Sequence, residues 1–440
     1  MNSPADRLAE RIRDGTARFG VIGLGYVGLP LALAASRSGL EVLGFDIDAA
    51  KVEDLNRGRS PLAHIGDAAV AAARSSGRFA ATAEFARLAE VDAIAICVPT
   101  PLGPHREPDL SFVEATARQI ATSLRAGQLV VLESTTWPGT TRQLVKPILE
   151  ATGLRSGTDF FLAYSPERED PGNRDFSTPR IPKLVGGDGE RARDLAASLY
   201  GRFVEKVVPV ESCEVAEAAK LTENIFRAVN IALVNELKLV FTAMGIDVHR
   251  VIDAAATKPF GFMPFRPGPG LGGHCIPIDP FYLTWKAHEV GVHTRFIELA
   301  GEINTGMPRW VVERLAEAID RRFGKGLSRS RVLLLGVAYK KNVDDVRESP
   351  AFAIWELLQS RGAEVGFHDP HVAVIPPTRE HGRLAGRRSL PLEPATLAGF
   401  DAALVVTDHD AIDWALVAAH ARLVVDTRDR LGRGPTIVPA

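Results

Sequence analysis

One glycine-rich segment near the amino end restricts the possible folds of this chain more than any other stretch. Between residues 18 and 48 it reads RFGVIGLGYVGLPLALAASRSGLEVLGFDID, and a short apolar strand leads into Gly23, Gly25 and Gly28. In this spacing the first glycine permits a tight turn, the second lets a pyrophosphate approach the backbone, and the third allows a helix to pack closely on the strand. The segment therefore predicts a parallel βαβ unit that binds a dinucleotide.

The second strand of this unit is predicted to end at Asp46, 18 residues beyond Gly28. A carboxylate in this place can accept hydrogen bonds from a ribose 2′-hydroxyl and would repel a 2′-phosphate, so the sequence favours NAD over NADP. The free N–H groups at the start of the intervening helix would face the cofactor phosphates. Tyr26 and Val27, within the glycine turn, are also expected to contact the cofactor.

Three further apolar runs have the composition of buried parallel strands: AIAICVP, LVVLEST and FFLAY, at residues 93–99, 129–135 and 160–164. Cys97 lies inside the first run and is interpreted as a core thiol. Ligands of open α/β sheets lie beyond the carboxyl ends of the strands. The polar residues that end or follow the first two runs are therefore expected near the cofactor: Thr100, Ser134, Thr135 and Thr136.

The loop SPERED follows the third run and brings Glu167 and Arg168 to the same predicted edge. Glu167 could act there as a base, and a solvated loop carboxylate is an alternative that these residues leave open.

A continuous helix of about 30 residues is predicted from Cys213 to Met244, because the segment lacks proline and interior glycine and ends at Gly245. Such a length is typical of a spine between domains. Lys220 and Asn224 are four residues apart and share one helix face with mostly apolar neighbours. They belong either to an exposed stripe at a domain edge or to a site.

A loop rich in glycine and proline, FRPGPGLGGHCIPIDP at residues 265–280, contains Cys275. Glycines let the backbone approach a ligand, and prolines order the loop. A thiol presented in this way can be a nucleophile, and a buried structural cysteine beside a turn is the alternative.

The carboxyl-terminal third predicts a second α/β domain. A helical run from about residue 287 to 322 and a short linker at 323–330 precede strands at VLLLGVA, EVGFHDP, AALVVT and LVVDT. No GxGxxG occurs here. Lys340, Lys341 and Arg347 follow the first strand, where they would either contact a phosphorylated ligand or be solvated.

The composition excludes several classes of protein. The 440 residues are 46% hydrophobic and 24% charged with a net charge of −2, which favours neither nucleic acid nor a membrane surface as partner. The polar amino end lacks a signal-peptide pattern, and no apolar stretch approaches the length of a bilayer span. Three cysteines without a CxxC pair form no disulfide framework, so we expect a cytoplasmic protein. No metal site is predicted.

Taken in order, six motifs resemble the nucleotide-sugar 6-dehydrogenases, the UDP-glucose/GDP-mannose dehydrogenase family. They are IGLGYVGLPLA, ESTTWPGTT, YSPERED, KLTENIFRAVNIALVNE, GPGLGGHCIPIDP and GVAYKKNVDDVRES, and the resemblance extends over about residues 18–430. It implies an α/β protein with two Rossmann-like domains joined by a long central helix and a helical middle domain. The expected domains are 1–205 for NAD, 206–322 for dimerisation and the cysteine loop, and 323–440 for the UDP-sugar.

The resemblance also implies roles for individual residues. Cys275 corresponds to the catalytic nucleophile, which adds to a C6 aldehyde and is oxidised on to a thioester. Lys220 and Asn224 would stabilise oxyanions, Asp279 would orient or activate water, and Glu167 would be the base of hydrolysis. Thr136 would hold a water as well as contact the cofactor. Arg347 is expected to contact the cofactor phosphates. The expected substrate contacts are Glu167, Arg168, Lys220, Asn224, Phe265, Arg266, Gly272 and Lys340.

The substrate is expected to be a UDP-sugar, and the chain a homodimer or higher homo-oligomer. The segments HCIPIDPFYLTWKA and YSPEREDPGN are most similar to the branch of the family that acts on UDP-N-acetylglucosamine. The UDP-glucose branch typically has a lysine where Ile278 stands, and its loss is compatible with a bulkier C2 substituent. UDP-N-acetylmannosamine, UDP-N-acetylgalactosamine and UDP-glucose remain alternatives. A dehydrogenase of small hydroxy acids and a non-enzymatic binding protein are the remaining alternatives.

Overall fold

A computed structural model describes residues 3–62, 65–103, 107–168, 179–273, 276–378 and 380–440. The chain forms two compact units. The first consists of Met1–Glu223 and Phe281–Val292, and the second of Asn224–Pro280 and His293–Ala440. Within the described ranges, no helix is long and apolar enough to cross a membrane.

The first unit is built on a sheet that has eight strands in its described part. These are β1 (Arg18–Ile22), β2 (Glu41–Phe45), β3 (Phe79–Thr82), β4 (Ala93–Ile96), β5 (Leu129–Leu132), β6 (Phe161–Tyr164), β7 (Lys183–Gly187) and β8 (Val207–Pro209). Their order is β3-β2-β1-β4-β5-β6-β7-β8, and neighbours are parallel except β6 and β7. Strands β1 to β3 follow one another toward one edge of the sheet, and β4 and β5 continue from β1 toward the other edge. Ligands of such sheets bind at this switch point between β1 and β4, beyond the carboxyl ends of the strands.

Seven helices accompany this sheet in the described residues and bury its two faces. They are α1 (Pro4–Asp14), α2 (Gly28–Arg37), α3 (Ala49–Asn56), α4 (Asp67–Ser75), α5 (Ser111–Ala121), α6 (Lys146–Glu150) and α7 (Glu190–Tyr200). A 3₁₀ turn at Phe85–Glu90 and a π-helical turn at Thr141–Val145 complete the connections. Strands β4, β5 and β6 are buried throughout, which explains why their sequences are continuously apolar.

Four helices follow: α8 (Cys213–Ala243), α9 (Val248–Ala256), α10 (Asp279–Glu289) and α11 (Arg295–Phe323). The long helix predicted from Cys213 is confirmed, and the division between the two units falls inside it. The single helical run predicted from about residue 287 is wrong. Gly291 has a left-handed backbone (φ 77°) and the Val292 N–H donates to the Ala287 carbonyl at 2.8 Å, so α10 ends there and α11 begins separately.

The second unit contains a parallel sheet of β9 (Arg331–Leu335), β10 (Glu364–His368), β11 (Ala402–Val405), β12 (Val424–Asp426) and β13 (Ile437–Pro439). The order is β10-β9-β11-β12-β13. Helices α12 (Pro350–Ser360), α13 (Pro394–Ala398) and α14 (Trp414–His420) connect the strands, together with 3₁₀ turns at Leu327–Arg329 and Gly382–Leu384. Separate apolar clusters pack on the two faces of this sheet. The predicted fold class is confirmed.

The two sheets use the same turn after their first strand. In the first unit the Leu24 N–H donates to the Asp46 carboxylate at 2.9 Å, and in the second the Val337 N–H donates to Asp369 at 2.7 Å. The second turn begins at Gly336, whose φ of 78° and close approach to a backbone carbonyl exclude a side chain. The carboxyl-terminal domain is therefore Rossmann-like although it lacks GxGxxG.

Candidate active site

The glycine turn of the first unit has space for a ligand at one of its three glycines. Gly23 has a φ of 90°, and a Cβ on Gly28 would lie 1.9 Å from the Gly23 carbonyl oxygen, so both are required by the packing of the protein itself. A Cβ on Gly25 would meet no protein atom of the described chain within 4 Å. This open position at the start of α2 fits the pyrophosphate of a dinucleotide.

Asp46 follows β2 directly and is 6% exposed. Its Oδ2 accepts from the Leu24 N–H and from Lys51 Nζ, both at 2.9 Å, and its Oδ1 accepts from the Asp48 N–H at 3.0 Å. A carboxylate has about four acceptor sites, so one remains for a ribose hydroxyl. The fixed orientation of Asp46 is compatible with the predicted NAD contact.

Thr136 follows β5 and is completely buried, yet its Oγ1 has no hydrogen-bond partner among the described residues. An unpaired buried hydroxyl costs about 1–3 kcal/mol, so a bound group that pairs with it is favoured. Thr100, which follows β4, is 4% exposed, and its carbonyl accepts from the Tyr282 hydroxyl at 3.0 Å. Ser134 differs, because its Oγ already donates to the Val98 carbonyl at 2.7 Å.

The segment after Thr136 is fixed by a buried carboxylate. Glu217 of α8 accepts from the N–H groups of Gly139 and Thr141, at 2.5 and 2.9 Å, and from Thr141 Oγ1 at 2.6 Å. Burial raises the pKa of Glu217 to about 7, although these hydrogen bonds favour its ionised form. The Trp137 ring lies 4.8 Å from that of Trp285 on α10, with the two ring planes inclined at 40°. The position of Thr136 is thus supported from two helices.

Cys97 directly follows β4, one residue beyond the end of that strand. It packs against the core of the first unit, and burial raises the pKa of its thiol well above the usual value. The strand is shorter than predicted, and Cys97 is a partly buried thiol at the edge of the core.

Glu167 lies in the loop after β6 with its side chain 15% exposed. Its Oε1 accepts from the Arg168 N–H at 2.7 Å, and Lys183 Nζ lies 3.4 Å from Oε2. The Arg168 guanidinium binds both carboxylate oxygens of Glu223, at 2.6 and 3.1 Å, and the Pro182 carbonyl at 2.7 Å. Glu167 is therefore an oriented carboxylate and not a freely solvated one.

Lys220 and Asn224 are both buried on α8, at 7% and 4% exposure, so the alternative of an exposed stripe is wrong. Asn224 Nδ2 donates to Asp279 Oδ2 at 2.5 Å, and Asp279 is 1% exposed at the start of α10. Burying polar groups is costly unless they are paired, and the hydrogen bond meets that requirement for Asn224 and Asp279.

The glycine loop packs tightly on the segment that follows β9. A Cβ on Gly272 would lie 2.7 Å from the Tyr339 Cβ, and the Gly273 N–H donates to the Arg347 carbonyl at 3.0 Å. The loop is thereby fixed beside Lys340, the predicted substrate contact. Cys275, predicted as the nucleophile, lies outside the described residues.

The other predicted ligand contacts of the second unit have partners within it. Arg347 Nη2 and Nε bind the Asp345 carboxylate at 2.7 and 3.0 Å, and its side chain is 39% exposed. The Phe265 ring lies 5.8 Å from that of Phe226 on α8. Arg266 forms an ion pair with Asp253.

One cluster of the first unit was missed by sequence reasoning. Lys183 Nζ binds Glu133 Oε2 at 2.5 Å, and the Tyr200 hydroxyl donates to Glu133 Oε1 at 2.5 Å. Glu133 directly follows the buried strand β5, and Lys183 begins β7. A charged residue at the end of an otherwise apolar run, as in LVVLE, was the available signal.

The first unit thus offers a dinucleotide-binding sheet, and a long helix with a buried lysine and asparagine leads from it into a second Rossmann-like unit. These features define an NAD-dependent dehydrogenase with a second nucleotide-binding domain. Residues 17–204, 214–306 and 333–433 match the NAD binding, central and UDP binding domains of the UDP-glucose/GDP-mannose dehydrogenase family. The chain belongs to this family, and it is an NAD-dependent nucleotide-sugar dehydrogenase.

Several relatives cover nearly the whole chain. A UDP-N-acetyl-D-glucosamine 6-dehydrogenase of Pseudomonas aeruginosa is 37% identical over 83% of this chain and 85% of its own. An NDP-N-acetyl-D-galactosaminuronic acid dehydrogenase of Ralstonia nicotianae is 36% identical over 93% and 95%. The structure of a UDP-N-acetyl-D-mannosamine dehydrogenase from Pyrococcus horikoshii superimposes with a TM-score of 0.85 at 34% identity, covering 96% of this chain and 98% of that one. The relatives agree on the family and differ in the sugar.

Proposed function

We propose that this enzyme oxidises the C6 alcohol of UDP-N-acetylglucosamine to the carboxylate, giving UDP-N-acetylglucosaminuronate for surface polysaccharide synthesis. Relatives from Pseudomonas aeruginosa and Salmonella typhi, at 37% and 34% identity, carry the name of this activity. The reaction removes four electrons, and NAD accepts a hydride in each of its two oxidation steps.

The observation that carries the proposal is the buried hydrogen bond between Asn224 and Asp279, at 2.5 Å. Lys220 lies one helical turn before Asn224 and is likewise buried, and Asp279 follows Cys275 by four residues in the sequence. An ammonium and an amide held away from water stabilise a developing oxyanion far better than they would in solvent. A single-hydride dehydrogenase has no need of a cysteine in this place.

In the proposed mechanism Cys275 acts as a thiolate. Its sulfur bonds to the C6 aldehyde carbon, the carbonyl π electrons move to oxygen, and the resulting thiohemiacetal oxyanion loses a hydride to the cofactor to become a thioester. A water oxygen then bonds to the acyl carbon while its proton passes to Glu167, and the C–S bond breaks with its electron pair returning to sulfur. Lys220 and Asn224 stabilise the oxyanions, Asp279 orients water, and Thr136 holds a water or the cofactor.

The UDP moiety is assigned to the carboxyl-terminal domain, with Lys340, Phe265, Arg266 and Gly272 as contacts. The proposed domains are 1–205, 206–322 and 323–440. Arg168 is proposed as a further substrate contact, and Arg347 as a contact to the cofactor phosphates.

The same chemistry on UDP-N-acetylmannosamine, UDP-N-acetylgalactosamine or UDP-glucose is the alternative. Relatives named as UDP-N-acetyl-D-mannosamine dehydrogenases are 34–35% identical to the chain. The Salmonella typhi relative named for UDP-N-acetylglucosamine is 34% identical, so identity alone does not separate the two sugars. Ile278, which stands where the UDP-glucose branch typically has a lysine, is compatible with the bulkier C2 substituent of an N-acetyl sugar.

A homodimer or larger homo-oligomer in the cytoplasm is proposed as the working form. Phe226, Leu233 and Val240 recur every seven residues on α8 and are 47%, 51% and 47% exposed. An apolar stripe of this kind is typical of a helix that packs on a partner. Light scattering coupled to size-exclusion chromatography would measure the mass of the protein in solution, and the mass of a monomer would contradict this part of the proposal.

The test of function is the ratio of NADH formed to sugar consumed, with purified protein, NAD and a panel of UDP-sugars. We expect two NADH per UDP-N-acetylglucosamine and little from UDP-glucose. A ratio of one would contradict the thioester route. Silence with every sugar of the panel would point first to another nucleotide sugar as the substrate.

The cysteine is tested by Cys275→Ser, which we expect to abolish net NADH formation because a serine alcohol does not form the thioester. NAD affinity, measured by titration, should be unchanged and shows that the variant is folded. Full turnover of the variant would contradict the assignment of the nucleophile.

A further inference from the structure

Glu167 is connected to the centre of the first unit through a buried ion pair. Lys183 Nζ lies 2.5 Å from Glu133 Oε2 and 3.4 Å from Glu167 Oε2. The Tyr200 hydroxyl donates to the other oxygen of Glu133 at 2.5 Å. The side chains of Glu133 and Lys183 are 0% and 5% exposed, and that of Glu167 is 15% exposed. Of the three charged groups, Glu167 is therefore the most exposed to solvent.

The ammonium of Lys183 persists in this environment. Burial alone would lower the pKa of Lys183, but the carboxylates of Glu133 and Glu167 outweigh that effect and raise it. Burial raises the pKa of Glu133, while Lys183 and the Tyr200 hydroxyl act in the opposite direction. One cation thus lies between two carboxylates, and the Tyr200 hydroxyl holds Glu133 from its other oxygen.

A buried ion pair is weak support for a role in stability, since desolvation costs about as much as the attraction returns. The Glu133–Lys183 pair does provide a rigid charge. Glu133 follows β5, Lys183 begins β7 and Tyr200 ends α7, so three packed elements fix the ammonium. Such a charge orients a neighbouring carboxylate and lowers its affinity for a proton.

We propose that Lys183 is a positioning residue for Glu167. Its ammonium holds Oε2 while the Arg168 N–H holds Oε1 at 2.7 Å, which keeps Glu167 anionic and aimed for the removal of a proton from the hydrolytic water. The inference rests on the proposed function, in which Glu167 is the base of thioester hydrolysis. Lys183 touches no reacting atom and takes no part in hydride transfer.

Other charged groups near Glu167 have different partners. The Arg168 guanidinium binds Glu223 at 2.6 Å, and Glu133 and Tyr200 bind one another. Cys97, beside β4, is a neutral thiol because burial raises its pKa. The Lys183 ammonium is a described cation in contact with the Glu167 carboxylate.

The test compares variants that keep or remove this cation. Lys183→Met alone leaves the Glu133 carboxylate buried without a countercharge and can unfold the unit. The double variant Glu133→Gln with Lys183→Met removes both charges and retains an acceptor for the Tyr200 hydroxyl. Lys183→Arg keeps the cation. A matched control removes a second ion pair of the unit, Lys146–Asp188 at 2.8 Å, with Lys146→Met and Asp188→Asn.

Hydrolysis is separated from oxidation by rapid mixing of enzyme, NAD and sugar. Both hydrides leave before the thioester is hydrolysed, so slow hydrolysis gives a burst of two NADH per active site, followed by a slow steady rate. Intact-protein mass spectrometry then detects the acyl adduct. For the double variant we expect this burst, an accumulated adduct and a steady rate lower by about tenfold. In its profile of steady rate against pH, the midpoint of the acidic limb should lie about one pH unit higher than in the wild type.

The controls decide between positioning and a merely structural role. Lys183→Arg should restore the pH profile, the ion-pair control should retain it, and thermal denaturation should show every compared variant folded. A folded double variant that keeps the wild-type acidic limb and accumulates no adduct overturns the inference. A double variant with a lower steady rate but no accumulated adduct overturns it as well. Glu167→Gln tests the proposed function separately, since absence of adduct and burst in that variant refutes the hydrolytic base whatever Lys183 does.

Discussion

An alanine substitution should lower the stability of the protein at Gly28 and leave it unchanged or slightly higher at Gly25, although both glycines belong to the nucleotide turn. A Cβ on Gly28 would lie 1.9 Å from the Gly23 carbonyl oxygen and 3.1 Å from Val21 Cγ1. Because such contacts stay outside about 3.0 Å, α2 or the turn must move by about 1 Å. Overpacking of this size costs about 3 kcal/mol, which lowers the melting midpoint of a unit of this size by about 6–12 °C.

Gly25→Ala is the matched control, because its Cβ meets no described atom within 4 Å. We expect the melting midpoint without NAD to stay the same or to rise slightly, since alanine restricts the unfolded chain. The methyl group would occupy the space of the pyrophosphate, so NAD affinity should fall by about tenfold or more. Differential scanning fluorimetry and calorimetric titration with NAD measure the two effects. A Gly28→Ala protein as stable as wild type, or a Gly25→Ala protein with unchanged NAD affinity, would refute the reasoning.

Three further changes have measurable outcomes. Thr136→Val removes a buried hydroxyl that has no described partner, so we expect unchanged or higher stability in denaturation and a loss of about tenfold in NAD affinity or turnover; unchanged ligand parameters would contradict the assignment. Asp46→Asn keeps an acceptor for the Leu24 N–H and should lower the ratio of kcat/KM for NAD over NADP; an equal ratio counts against the ribose contact. Burial lowers the pKa of Lys238 to about 7, so the folded protein binds fewer protons than the unfolded chain between pH 7 and the ordinary lysine value. Its unfolding free energy should therefore rise with pH in that window by about 1.4 kcal/mol per unit, and Lys238→Met should remove this rise in urea denaturation. A rise that persists in the variant would show that other groups cause it.

Local regularity explains which elements were predictable. Residues 18–46 form a βαβ unit as expected, because apolar strands, positive-φ glycine and helix propensity all act within a few residues. The short strands β3, β7, β8 and β13 were not predicted. Strand β8 has no fully buried residue, so its sequence lacks the apolar run that identifies a central strand.

Contacts between distant residues explain what was missed. The separation of α10 from α11 follows from Gly291, and a lone glycine in an otherwise helical pattern does not show whether its backbone turns left-handed. Glu133 and Lys183 are 50 residues apart, and each alone reads as an ordinary charged residue beside a strand. Their pairing follows from the order of β5, β6 and β7 in the sheet.

The sequence by itself determined the dinucleotide-binding unit and the family, because the spacing of the glycines, the acidic residue after β2 and the six family motifs are local patterns of the chain. The tertiary structure decided which polar groups are paired. In it Asn224 donates a hydrogen bond to Asp279, the Thr136 hydroxyl has no described partner, and the Lys183 ammonium lies beside Glu167. Burial and distance govern the energy of such groups, and both arise only when segments far apart in the chain pack together.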